Sequence, residues 1–153
     1  MEGQDRLFAQ LPNVKTLSMR CILGMSANDT IEGVRRHYTA LSSLSLECPL
    51  PQTEDVPEDW LAGFASLESI KLRENQNCYI LGDSSLLYLS PTVKHIDLVE
   101  VNLSPVAIVY AISQWARDPA IQYTRTVIVD ESIKDMFKAA LVVSHAFSRF
   151  PPA

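Results

Sequence analysis

The chain is poor in the residues that build several kinds of site. Cysteine occurs three times in 153 residues, at Cys21, Cys48 and Cys78, with no Cys-x-x-Cys pair. That excludes a disulfide framework and points to a reducing compartment, cytoplasmic or nuclear. The five glycines stand far apart, at positions 3, 24, 33, 63 and 82, so none can form the glycine-rich loop that cradles a phosphate. Basic residues are also in deficit: 13 Lys and Arg against 18 Asp and Glu leave a formal charge of −5. A general nucleic-acid binder needs the opposite balance to displace phosphate counterions. No apolar run approaches the ~18–20 residues that cross a bilayer. The opening MEGQDRLFAQLPNVK has no long apolar core, so neither a secretory leader nor a membrane partner is expected. The three histidines, His37, His95 and His145, are scattered and none stands at metal-ligand spacing from a carboxylate. No metal or cofactor is expected.

The positive signal is a repeat. The segments Val14–Met19, Leu41–Leu46, Leu67–Leu72 and Val93–Leu98 each read apolar-x-x-apolar-x-apolar, with starts 27, 26 and 26 residues apart. A weaker fifth copy, Thr124–Val129, begins 31 residues later. Fourteen of the fifteen framework positions are apolar; only Thr124 is not. The positions between them are the reverse. They hold Thr16, Ser18, Arg20 in the first copy and Ser43, Ser45, Glu47 in the second. The third has Ser69, Lys71, Arg73, and the fourth His95, Asp97, Val99. Thr126, Ile128 and Asp130 complete the fifth. Alternation of this kind is the period-2 pattern of a strand with one buried and one wet face, and it predicts strands near 14–20, 41–47, 67–73, 93–99 and 124–130.

The intervening stretches carry helix signals. Asp29-Thr-Ile-Glu32 is a capping box ahead of a helix ending near His37. Pro57-Glu-Asp leads into Trp60, Leu61 and Phe64, and Asp83 is placed to cap a short turn with Leu86 and Leu87. Ser104-Pro105 sets a capping Ser before a Pro at the first helical position, with Val109, Ile112 and Trp115 at helical spacing beyond. Residues 133–148 read as a terminal helix. Strand and helix alternating at a constant period require parallel strands. A doubly wound sheet, buried on both faces, would have almost continuously apolar strands; here one face is polar. The expectation is a single α/β domain of 153 residues whose helices cover one side of the sheet, which curves into an arc with its polar face inside.

The framework L-x-x-L-x-L at this period resembles the leucine-rich repeat, in particular the longer ribonuclease-inhibitor-like type. The phrases LPNVKTLSMR and FASLESIKLREN are similar to the repeat halves of fungal F-box proteins. The resemblance implies a solenoid arc with about five parallel strands on the concave face and helices on the convex face. It also implies a non-enzymatic role in protein recognition, with selection of substrates for ubiquitination. The Asn that the family uses to bond turn backbone appears only as Asn75; Ile22, Pro49, Val101 and Ser132 stand at the equivalent places. No F-box segment precedes the repeats, so a recognition region without its adaptor-docking half is expected.

On this reading the candidate partner-binding residues are Thr16, Ser18, Arg20, Ser43, Ser45, Glu47, Ser69, Lys71, Arg73, His95, Asp97 and Thr126. Arg20, Glu47 and Arg73 would form one row of alternating sign, with Lys71 beside Asp97 in the next. The partner would be another protein. Against this stands the plain alternative that a sheet face in water is polar anyway. Cys21 and Cys48, equivalent in successive repeats, point inward as small buried thiols. Trp60, Phe64, Trp115 and Phe137 are expected in the core. Leu7, Phe8 and Leu11 are expected as exposed apolar surface at an uncapped N-terminal end, suited to self-association or to a preceding domain. Two other classes remain open. Gly82-Asp83-Ser84 resembles the nucleophile block of GDSL-type esterases, but Val142 stands where the Asp partner of His145 should be. The third class is an orphan structural fragment of a larger repeat protein.

Overall fold

A computed structural model of the chain describes residues 13–20, 27–48, 56–74, 79–131, 133–135 and 138. Five strands, β1 (Thr16–Arg20), β2 (Ser43–Cys48), β3 (Ser69–Glu74), β4 (His95–Glu100) and β5 (Thr126–Ile128), form one sheet in chain order, every pairing parallel. All five begin two residues after the repeat start, because the first framework residue lies in the approach to the strand. The fifth is only three residues long, shorter than its sequence pattern predicts.

The repeat phase is visible in the backbone. In successive copies Ser43 N donates to Lys15 O, Ser69 N to Ser42 O, His95 N to Glu68 O and Thr126 N to Lys94 O, at 2.8–3.1 Å. The same repeat position therefore makes the same bond at each step. Registration is its consequence: Leu17, Leu44, Ile70, Ile96 and Val127 are partners across all five strands. Leu44, Ile70 and Ile96 are 1–2% exposed, as are Leu46, Leu72 and Leu98 at the next apolar position (0–2%). These rows and the crossover segments share one core, to which Ile31, Val34, Trp60, Leu61, Leu86, Ile108 and Ala111 contribute.

The crossovers depart from their predicted forms. Helix α1 spans Ala27–His37. It starts earlier than the Asp29 capping box predicts, which leaves Asp29 inside the first turn, where its charge suits the helix dipole. The Trp60 segment is a single 3-10 turn (Trp60–Gly63) and not an α-helix. Its apolar residues still sink into the core: Trp60 is 2% exposed, its Nε1 donates to Ile80 O at 2.8 Å, and Phe64 packs edge-on to it. A second 3-10 turn (Ser85–Tyr88) is entered through Ser84 and not Asp83, and Ser85 Oγ accepts from Gly82 N. Helix α2 (Pro105–Arg117) begins as predicted, the Ser104 hydroxyl accepting from Ala107 N at 3.2 Å. It buries Ala107, Ile108, Ala111 and Trp115, with Val109 and Ile112 half-buried beside them. Helix begins again near Asp130, whose carbonyl accepts from Ile133 N and Lys134 N. Of the predicted terminal helix, residues 133–135 and 138 are described and helical, while Phe137 and the remainder lie outside the described residues. Leu7, Phe8, Leu11, Cys21, Asn75, Cys78 and His145 also lie outside the described residues. Cys48 is fully buried, as its inward position requires.

Candidate functional site

The side chains between the buried rows face the other side of the sheet. Thr16, Ser43, Ser69, His95 and Thr126 are successive partners in one row; Ser18, Ser45, Lys71, Asp97 and Ile128 make the next. None of the twelve predicted site residues is buried. Adjacent strands are about 4.8 Å apart, so each row presents hydroxyls, charges and an imidazole at near-constant spacing.

The third row differs from its predicted composition. Arg20 faces Glu47, and Nε lies 3.4 Å from Oε2. Arg73 faces Glu100 and not Val99, because the register between β3 and β4 slips by one residue after Lys71. This is a bulge: the extra residue bends the strand and re-aims the side chains beyond it. Asp97 stabilises it, its Oδ1 accepting from Val99 N at 3.2 Å. The carboxylate is thereby turned to its own strand while Lys71 stands across from it. Arg73 Nη1 then reaches Glu100 Oε2 at 3.2 Å. The row therefore runs Arg20, Glu47, Arg73, Glu100, extending the alternation of sign to four strands. With one partner of each pair well exposed, the two ion pairs contribute at most about 1 kcal/mol each to folding. Their charges are available to a ligand.

Sequence reasoning missed Glu74, the last residue of β3. It is the Cα partner of Cys48 and lies seven residues after the repeat start, as Cys48 does. Its Oε2 accepts from Ile80 N at 2.6 Å and Leu81 N at 3.2 Å, and Oε1 from Asn102 N at 2.8 Å. One carboxylate thus ties the turn after β3 to the turn after β4. Burial raises its pKa above the ordinary 4.5, only partly opposed by the amides of Asn102, Ile80 and Leu81. The available signal was a charged residue at an inward-facing repeat position.

The Gly82-Asp83-Ser84 block lies at the rim of a cavity of about 400 Å³ shared with Glu58, Leu87, Val106 and Tyr110. The Ser84 hydroxyl donates to Glu58 Oε2. Its partner is a carboxylate and not the imidazole that a GDSL-type serine uses as its base. The Glu58 side chain also lies against Gly82, where a Cβ would meet its Cγ at 2.5 Å.

No family model, curated protein or solved structure matches the chain. The reading of the site therefore rests on its own geometry. Among the described residues no helix is long and apolar enough to cross a membrane.

Proposed function

We propose that the chain is a non-enzymatic recognition scaffold: a short arc of the leucine-rich-repeat type, working in the cytoplasm or nucleus, whose polar strand rows bind a segment of another protein. The observation that carries this reading is the registration of the polar rows, two of which run in constant register through all five strands. Five parallel strands display exposed or half-exposed Ser, Thr, His and charged side chains, with the same backbone bond repeated at every step. A sheet built this way presents rigidly held donors and acceptors, which limits the ordering entropy lost when a partner binds. The alternating row Arg20, Glu47, Arg73, Glu100 gives that surface a charge pattern, and pattern contributes specificity and association rate more than raw affinity. The resemblance to F-box repeat regions makes a protein destined for ubiquitination the first partner to test.

The test is a comparison of captured partners. Wild-type protein is immobilised beside a variant with Arg20→Glu, Glu47→Lys, Lys71→Glu and Arg73→Glu, whose fold is checked by circular dichroism. Partners retained by the wild type and lost from the variant are the expected result. An identical partner set on both would argue against binding at this face.

A further inference from the structure

The β5 end of the sheet holds a group of buried donors that lack acceptors. Arg125 enters β5, and its guanidinium lies over the ring of Trp115, Cζ 5.0 Å from the centroid. Nη2 donates to Ser90 O at 2.7 Å. Among the described residues the buried Nε and Nη1 find no acceptor, and neither does Nε1 of Trp115, a residue more than nine-tenths buried. Guanidinium and indole N–H groups can only donate, so neither can satisfy the other. Buried polar groups in folded proteins are nearly always paired. The missing partner must bring acceptors. Among the described residues no carboxylate lies within ion-pair distance of Arg125, so the charge too lacks a close counter-ion.

Arg125 lines two cavities, of about 310 and 320 Å³, which share Ile112, Arg125 and Val127. Volumes near 300 Å³ are at the lower end of those that hold small organic ligands. The first cavity is walled by Trp115, Ile121 and Tyr123, with Asp118 in its lining. Lys94 Nζ sits over the Tyr123 ring at 4.5 Å. The second cavity has Val129 and Ile133 as walls and Lys134 and Lys138 at its edge, Lys134 also pairing with Glu131.

We propose that this pocket binds a small organic carboxylate, its oxygens accepting from Arg125 and the Trp115 indole and its apolar body lying against Ile112, Ile121 and Val127. Two features favour a carboxylate over a phosphate. Ile112, Ile121 and Val127 give the cavity an apolar wall, which suits a ligand with a hydrocarbon body. Asp118 in the lining opposes a dianion more than a monoanion, although its Oδ1 is already engaged by Ala120 N at 2.9 Å. The depression of the Arg125 pKa by burial, resisted by Asp118, describes the same cation waiting for a closer counter-charge. The site is separate from the polar sheet rows and stands independently of their role.

The experiment is a titration of the whole chain followed by ¹H–¹⁵N spectra of the Trp115 indole and Arg125 Nε–H groups. The probes are benzoate, its neutral analogue benzyl alcohol, and inorganic phosphate. Benzoate should shift both signals saturably, with a dissociation constant of about 1 mM or tighter, the range open to so small a ligand. Benzyl alcohol and phosphate should bind at least about ten-fold more weakly. Arg125→Gln should weaken benzoate about ten-fold or more, and Arg125→Lys, which keeps the charge, should recover part of that loss. Asp118→Asn, which keeps the acceptor for Ala120 N, should tighten benzoate about three-fold; a gain cannot come from misfolding. The assignment is overturned if benzoate produces no saturable shift or if benzyl alcohol binds as well. Phosphate binding more tightly than benzoate, or Asp118→Asn weakening benzoate, overturns it too.

Discussion

Replacing Glu74 by Ala removes the acceptor for three backbone amides at once. Ile80 and Leu81 are 1% and 5% exposed, so their N–H groups have no ready access to water, whereas Asn102 is exposed and its amide can turn to solvent. Each inner amide left unpaired costs about 1–3 kcal/mol. Against this, the variant no longer holds a carboxylate in the site where burial raises its pKa. The balance is a loss of about 2–4 kcal/mol, or a fall in Tm of about 5–12 °C for a domain of this size. Thermal unfolding monitored by circular dichroism measures the fall, and hydrogen exchange at Ile80, Leu81 and Asn102 locates it. The raised pKa adds a pH signature, tested against Glu74→Gln, which does not titrate. Between the unfolded value near 4.5 and the raised folded value, the folded state holds more protons than the unfolded. The stability of the wild type relative to Glu74→Gln must therefore be highest in acid and decline as pH rises through that window. A Tm change under about 2 °C with unchanged exchange at Ile80 and Leu81 would refute the clasp. A relative stability that rises with pH would refute the account of its ionisation.

The two faces of the sheet should respond in opposite ways to truncation. Ile70→Ala, in the middle strand and 1% exposed, should cost about 2–5 kcal/mol in urea denaturation. Ser45→Ala on the opposite face should stay within about 0.5 kcal/mol. Ser104→Ala should lower stability by about 1 kcal/mol through loss of the α2 cap, without altering the unfolding m-value. Ser84→Ala should leave the rate of short-chain ester hydrolysis unchanged from wild type, and a reagent for activated serines should not label Ser84; labelling would revive the esterase.

The strands were legible because their alternation has a physical cause that repeats. A residue two positions on returns to the same face, and stacking equivalent units requires the same face to be apolar each time, as Leu44, Ile70 and Ile96 show. The polar rows came from the same register. The crossovers were less legible because a capping residue marks where a helix can begin and not how many turns it will have. Pro57-Glu-Asp precedes a single 3-10 turn, since Trp60 and Leu61 reach the core without a longer helix. Asp83 was the expected cap of the second turn, but the turn is entered through Ser84 and the Ser85 hydroxyl accepts from Gly82 N instead. Two features left no trace in the spacing. The bulge after Asp97 lies inside β4, past the point where the 26-residue spacing between the starts at Leu67 and Val93 is set, so Glu100 replaces Val99 opposite Arg73. The Glu74 clasp depends on amides from two later turns, which proximity in sequence does not reveal.

The claim that the sheet's polar face recognises a partner by its charge pattern is tested most directly by exchanging charges within each ion pair. The fourfold variant Arg20→Glu, Glu47→Arg, Arg73→Glu and Glu100→Arg keeps the alternation of sign along the row, both ion pairs and the net charge, but reverses the pattern displayed. Unfolding should be within about 0.5 kcal/mol of wild type, while the dissociation constant for a partner captured by the wild type should weaken about ten-fold or more. Affinity unchanged in the fourfold variant would contradict the assignment of this face as the binding surface.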